Sequence, residues 1–110
     1  MVPLPHRLSA TLAEYSRRMS ARFGARLRFV RLFGSWARAE AHECSDLDVA
    51  VVVAGLTREE WSAAVGEAYD VDPDADFPLA PFVVSAEHFD ELLRRGRLIA
   101  ADIVNEGMPL

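Results

Sequence analysis

Apolar residues in the first part of the chain fall at Leu8, Leu12, Tyr15, Met19 and Phe23, at spacings of four, three, four and four. That is one stripe of an α-helix. It predicts a helix over residues 6–23, with Gly24 placed to end it. Leu27–Phe33 is rich in aromatic and branched residues and predicts a strand. A Gly34-Ser35 step follows, and residues 35–41 read as a short helix. Leu47–Val53 is a nearly continuous apolar run, the pattern of a strand covered on both faces. Thr57 with Glu60 three residues later is a capping-box signature, opening a helix to about Tyr69. Asp70–Pro78 carries four Asp and two Pro and reads as a loop.

Leu79–Val84 predicts a third strand. Pro81 removes one ladder donor there, which suits an edge or a bulge rather than a sheet centre. That edge is a candidate for self-association into a homo-oligomer. Ser85 can cap a helix running to Arg95, with Gly96 to end it. Leu98–Glu106 predicts a final short helix, stopped by Gly107 and Pro109. Helices alternating with strands indicate an α/β layer architecture, helices packed on a small sheet, in one domain over residues 1–110.

Composition narrows the class of protein. Half of the 110 residues are apolar (51%), enough for a folded globule. No apolar run approaches the roughly 18–20 residues that span a bilayer, so no membrane association is expected. Met1–Pro5 lacks a basic region followed by an apolar core, so no signal peptide is expected. The single cysteine, Cys44, excludes an internal disulfide framework, and a cytoplasmic location is the expectation.

Charge is unevenly spread. Residues 1–38 hold eight Arg and one acid, Glu14, a net of +7; residues 39–110 hold four Arg and sixteen acids, a net of −12. The acidic total of −5 argues against direct nucleic-acid binding. The first third could still offer a basic face, or Arg17, Arg18 and Arg22 could simply be the wet side of a helix.

Candidate chemistry concentrates in fifteen residues. Gly34-Ser35 lies between a strand and a predicted helix, where glycine lets a backbone approach closely and helix-start N–H groups attract phosphate. Asp46 and Asp48 sit two apart at the head of the buried strand, so both carboxylates project from one face. Two carboxylates held together repel, and a divalent cation relieves that repulsion; oxygen-rich sites of this kind suit Mg²⁺ or Mn²⁺. Adjacent strands would bring Gly34-Ser35 and the acids to one end of the sheet. His42 and Cys44 lack the second pair of ligands that a zinc site needs. His6 and His88 read as surface or cap residues. Trp36 and Trp61 fit core or interface roles, with base stacking by Trp36 an alternative.

Phe33-Gly34-Ser35-Trp36-Ala37-Arg38, followed by Ser45-Asp46-Leu47-Asp48-Val49, resembles the G-S-x-A-R-G … S-D-x-D signature of minimal nucleotidyltransferases. These belong to the DNA polymerase β-like nucleotidyltransferase superfamily. Ile103-Val104-Asn105-Glu106-Gly107 is similar to their usual final helix. The resemblance implies a small mixed β-sheet flanked by helices. It also implies Mg²⁺-dependent transfer of a nucleoside monophosphate, AMP in the first instance, from ATP or another NTP, with release of pyrophosphate. By position, Gly34 and Ser35 would hold the β- and γ-phosphates, and Asp46 and Asp48 would be the catalytic, metal-binding pair. Arg38 would touch phosphate or brace the loop against a nearby acid.

The resemblance further implies an antitoxin acting on a small helical HEPN-type toxin partner. Two positions depart from the pattern. Ala39 stands where Gly is usual, and Ala80 or Pro81 stands where a third carboxylate is expected on the later strand. Asp74 and Asp76, just upstream, are the candidate substitutes. The rival reading is a nucleotidyltransferase-like binding module that acts through protein–protein contacts.

Overall fold

The apolar stripe of the first segment forms α1, His6–Phe23, in a computed structural model of the chain that describes residues 6–38, 46–73 and 78–110. All five stripe residues are buried. Gly24 takes a positive φ of 56° and starts a single 3₁₀ turn, Gly24–Arg26, which feeds β1, Leu27–Phe33. The remaining elements are β2 (Leu47–Val53), α2 (Arg58–Asp70), β3 (Leu79–Ser85), α3 (Ala86–Arg94), α4 (Leu98–Glu106) and β4 (Met108–Pro109).

The sheet order is β3-β2-β1-β4, with β1 antiparallel to β2 and β4, and β3 parallel to β2. It is therefore a mixed sheet. Residues of β2 alternate between two cores. Leu47, Val49, Val51 and Val53 meet α1 and α2 through Leu12, Tyr15, Met19 and Ala64. Ala50 and Val52 meet α3 and α4 through Phe89, Ala100 and Ile103. Helices on both faces explain why the strand is apolar at every position except Asp48, the one β2 residue that is not buried.

Local chemistry sets the boundaries. Thr57 Oγ1 accepts from the Glu60 backbone N–H at 3.2 Å while the Glu60 carboxylate accepts from the Thr57 N–H at 3.0 Å, so the capping box forms in both directions. The Ser85 hydroxyl accepts from the His88 N–H at 3.0 Å and opens α3. Leu47 N–H donates to the Pro78 carbonyl at 3.1 Å. This register turns the even-numbered residues of β3 toward β2, so the missing N–H of Pro81 falls on the open edge of the sheet. At the start of the 70–78 loop, Asp72 accepts from Arg7 and lies 3.1 Å from the hydroxyl of the buried Thr11, which pins that end to α1.

Two expectations change. Residues 34–38 run as consecutive turns rather than as the start of a helix, with one helix-type bond, Arg38 N–H to the Gly34 carbonyl at 3.1 Å. Gly34, the residue just before the expected helix, has φ of 75° and turns the chain sharply as it leaves β1. Positions 39–41 lie outside the described residues. The second change is β4, two residues with no periodicity for a sequence pattern to reveal. Leu110 N–H donates to the Val30 carbonyl at 3.0 Å, so the ladder passes over Pro109 without needing its missing donor.

Candidate active site

Antiparallel pairing of β1 with β2 sets Phe33 directly opposite Asp48. The chain leaving β1 therefore turns immediately beside the strand that carries the acids. Gly34 is buried, and a Cβ placed on it would lie 2.2 Å from Asp48 Oδ2. Only a residue without a side chain lets the turn close over that carboxylate, and the positive φ demands glycine for a second reason. Gly34 and Asp48 are thus one constructed feature, although fourteen positions separate them.

Asp48 shares its sheet face with Ala50 and Val52, on the α3/α4 side. Asp46 stands exposed immediately before β2, close enough for its charge to act on Asp48. Burial pushes the Asp48 carboxyl above the usual carboxylate range, the Asp46 charge pushes it further, and Arg38 draws it back. An acid raised by burial and by a like charge carries unrelieved repulsion at neutral pH. This donor set fits a hard divalent cation. Mg²⁺ is commonly held by one or two carboxylates, with water and substrate phosphates completing its shell.

Arg38 lies at the end of the Gly34 turn, and its Nη1 donates to Glu106 Oε2 at 3.2 Å. The brace to a nearby acid therefore exists, and the acid comes from the end of α4. Sequence spacing could not find it across 68 positions. Ser35 lies within the same turn, half-buried. Trp36 is partly buried against the α1/α2 core cluster, in keeping with a core role, whereas Trp61 is exposed on α2. His6 and His88 are exposed.

In parallel register Asp48 pairs with Ala80 and Val49 with Pro81. The position beside Asp48 on β3 therefore carries a methyl group. Among the described residues, no cluster of three His, Cys, Asp or Glu side chains forms a metal site. His42, Cys44, Asp74 and Asp76 lie outside the described residues. No described helix is long and apolar enough to cross a membrane.

The mixed sheet thus carries a glycine turn closed over Asp48, with Asp46 just ahead of the same strand. Residues 21–102 match the family described as polymerase beta, nucleotidyltransferase. The chain belongs to this nucleotidyltransferase family. Among solved structures, it resembles one assigned as a minimal nucleotidyltransferase, at 28% identity and a TM-score of 0.61, covering 94% of this chain and 93% of the other. A second structure assigned as a nucleotidyltransferase, from Sulfolobus solfataricus, superimposes with a TM-score of 0.51 at 17% identity, over 99% of this chain and 89% of that one. A toxin–antitoxin structure with AMP-PNP superimposes with a TM-score of 0.53 at 20% identity, over 87% of this chain and 69% of that one. No curated protein matches the chain significantly.

Proposed function

We propose that this chain transfers a nucleoside monophosphate, AMP in the first instance, from an NTP to a hydroxyl on a second protein. The observation that carries the reading is the closure of the Gly34 turn over Asp48, with Asp46 beside it. The acceptor oxygen attacks the α-phosphorus, the bond to the β-phosphate oxygen breaks, pyrophosphate leaves, and the acceptor proton passes to solvent. Asp46 and Asp48 would hold a divalent cation, which when bound neutralises the triphosphate and the departing pyrophosphate. Gly34 and Ser35 would take the β- and γ-phosphates on the turn, and Arg38 would add a guanidinium to them.

An acceptor on another chain has to dock on this domain so that its hydroxyl is held in line with the α-phosphorus. Exposed aliphatic side chains on α3 and α4, Leu93, Leu98, Ile99 and Val104, give such a partner apolar area to cover. The likeness to a toxin–antitoxin structure with AMP-PNP supports a toxin as that partner; the small helical HEPN type is what the motif resemblance alone implies for it. The test is incubation with labelled ATP, Mg²⁺ or Mn²⁺ and the partner. Transfer that disappears in Asp46→Asn and Asp48→Asn supports the proposal, and no transfer with either metal refutes it.

Ala80 beside Asp48 favours a second reading. A chain without an acid there can retain nucleotide binding yet lose general-base assistance, worth about 10²–10⁴-fold. It would then act as a binding module. Partner affinity that is indifferent to ATP, metal and the Asp46 and Asp48 substitutions would favour this alternative.

A further inference from the structure

Glu106 is the last residue of α4, and its position is fixed from two sides. Gly107 N–H closes the helix on the Ile103 carbonyl at 3.0 Å. A Cβ on Gly107 would fall 2.3 Å from that carbonyl oxygen and 3.1 Å from Arg31 Cδ. The following residues lock onto β1 through Met108 and Leu110. The end of α4 therefore has no room to slide. Arg38 is tethered on its own side by its N–H bond to the Gly34 carbonyl. Their ion pair joins the segment after β1 to the end of the last helix, next to Asp48.

A carboxylate at a helix C-terminus faces the negative end of the helix dipole, and the last turn of α4 contains no basic residue. Arg38 supplies that compensation from outside the helix. The pair is weak by construction. Its side chains are 35% and 36% exposed, a setting in which water and salt compete with it. A triphosphate on Gly34-Ser35 carries more negative charge than one carboxylate and matches the guanidinium fork in two-point geometry.

We propose that Glu106 is a displaceable counter-ion that parks Arg38 beside the Gly34 turn until a triphosphate takes the guanidinium over. The inference rests on the nucleotide-binding reading above. Glu106 is then a positioning residue that sets nucleotide affinity without touching the nucleotide.

Titration calorimetry of the full chain with AMP-PNP and Mg²⁺ tests it. Glu106→Gln should bind about two- to fivefold tighter, the span to which an exposed ion pair converts. Arg38→Gln should bind more weakly, and the double variant should match Arg38→Gln, because the effect of Glu106 passes through Arg38. Unchanged or weaker binding by Glu106→Gln overturns the proposal, as does a double variant that binds tighter than Arg38→Gln. In the wild type, the Arg38 Nε–H resonance should shift during the titration; an unmoved resonance at saturation overturns the proposal without any variant. Wild-type protein that binds no AMP-PNP removes the nucleotide reading as well. Wild-type binding with an indifferent Glu106→Gln removes this inference alone.

Discussion

At Gly34 the space and the backbone make the same demand. The Cβ that alanine would add meets Asp48 Oδ2, and the left-handed φ strains any side chain. Gly34→Ala should cost about 1–3 kcal/mol of stability, read as a lower denaturant midpoint. By moving the acid it should also lower transfer about a hundredfold. Asp48 presents the opposite case. Burial and the Asp46 charge both oppose its ionised form, so the fold bears a cost at neutral pH. Asp48→Asn removes that cost, and Tm should rise while transfer is lost. The gain should be about 0.5–2 kcal/mol, as for other single stabilising substitutions. A lower Tm for this variant would show that the carboxylate stabilises the fold instead.

Among the elements, those with a strong period or a local chemical cap were readable from the chain. The Leu8–Phe23 stripe and the Thr57/Glu60 box are local signals, and the structure realises both. Thr57→Ala should cost about 1 kcal/mol in chemical denaturation, because it leaves the Glu60 N–H in the first turn of α2 without its acceptor. A short helix and a run of turns place the same residue types at 35–38, so the pattern there does not separate them. The two-residue β4 was missed because its pairing is set by distant β1 residues. The same limit applies at the candidate site. Gly34, Asp46 and Asp48 stand in recognisable spacing, whereas Glu106 reaches Arg38 only through the packing of α4 on the sheet. Pro81 signalled an edge strand, and β3 is one.

Across the whole molecule, the split between a basic first third and an acidic remainder becomes a set of long-range ion pairs. Arg7 meets Asp72, Arg22 meets Glu67, Arg26 meets Glu60 and Arg38 meets Glu106, each joining residues before 39 to residues after 59. Arg17 and Arg18 both pair with Glu14 on α1 itself. The four arginines of α1 are therefore each matched by an acid of the chain itself. Arg26, followed by the Thr57 backbone N–H, holds the Glu60 carboxyl down at about 2; Arg17 and then Arg18 hold Glu14 at about 2 as well. Both values lie below the unfolded value of 4.5, so their contribution is present above that pH and is lost as pH falls toward 2. Thermal melts at low salt should show Tm falling most steeply in this window, with a shallower fall in Glu60→Gln. A Tm that is flat through the window would remove these pairs from the account.

Everything proposed for this domain turns on the Gly34 turn, Asp46 and Asp48 forming one nucleotide–metal site. Crystals soaked with AMP-PNP and Mn²⁺, measured for the anomalous signal of manganese, test it most directly. A manganese peak is expected against the Asp46 and Asp48 carboxylates, with the β- and γ-phosphates on Gly34 and Ser35. Nucleotide bound elsewhere, or no manganese peak between the two acids at saturating nucleotide and metal, would contradict it.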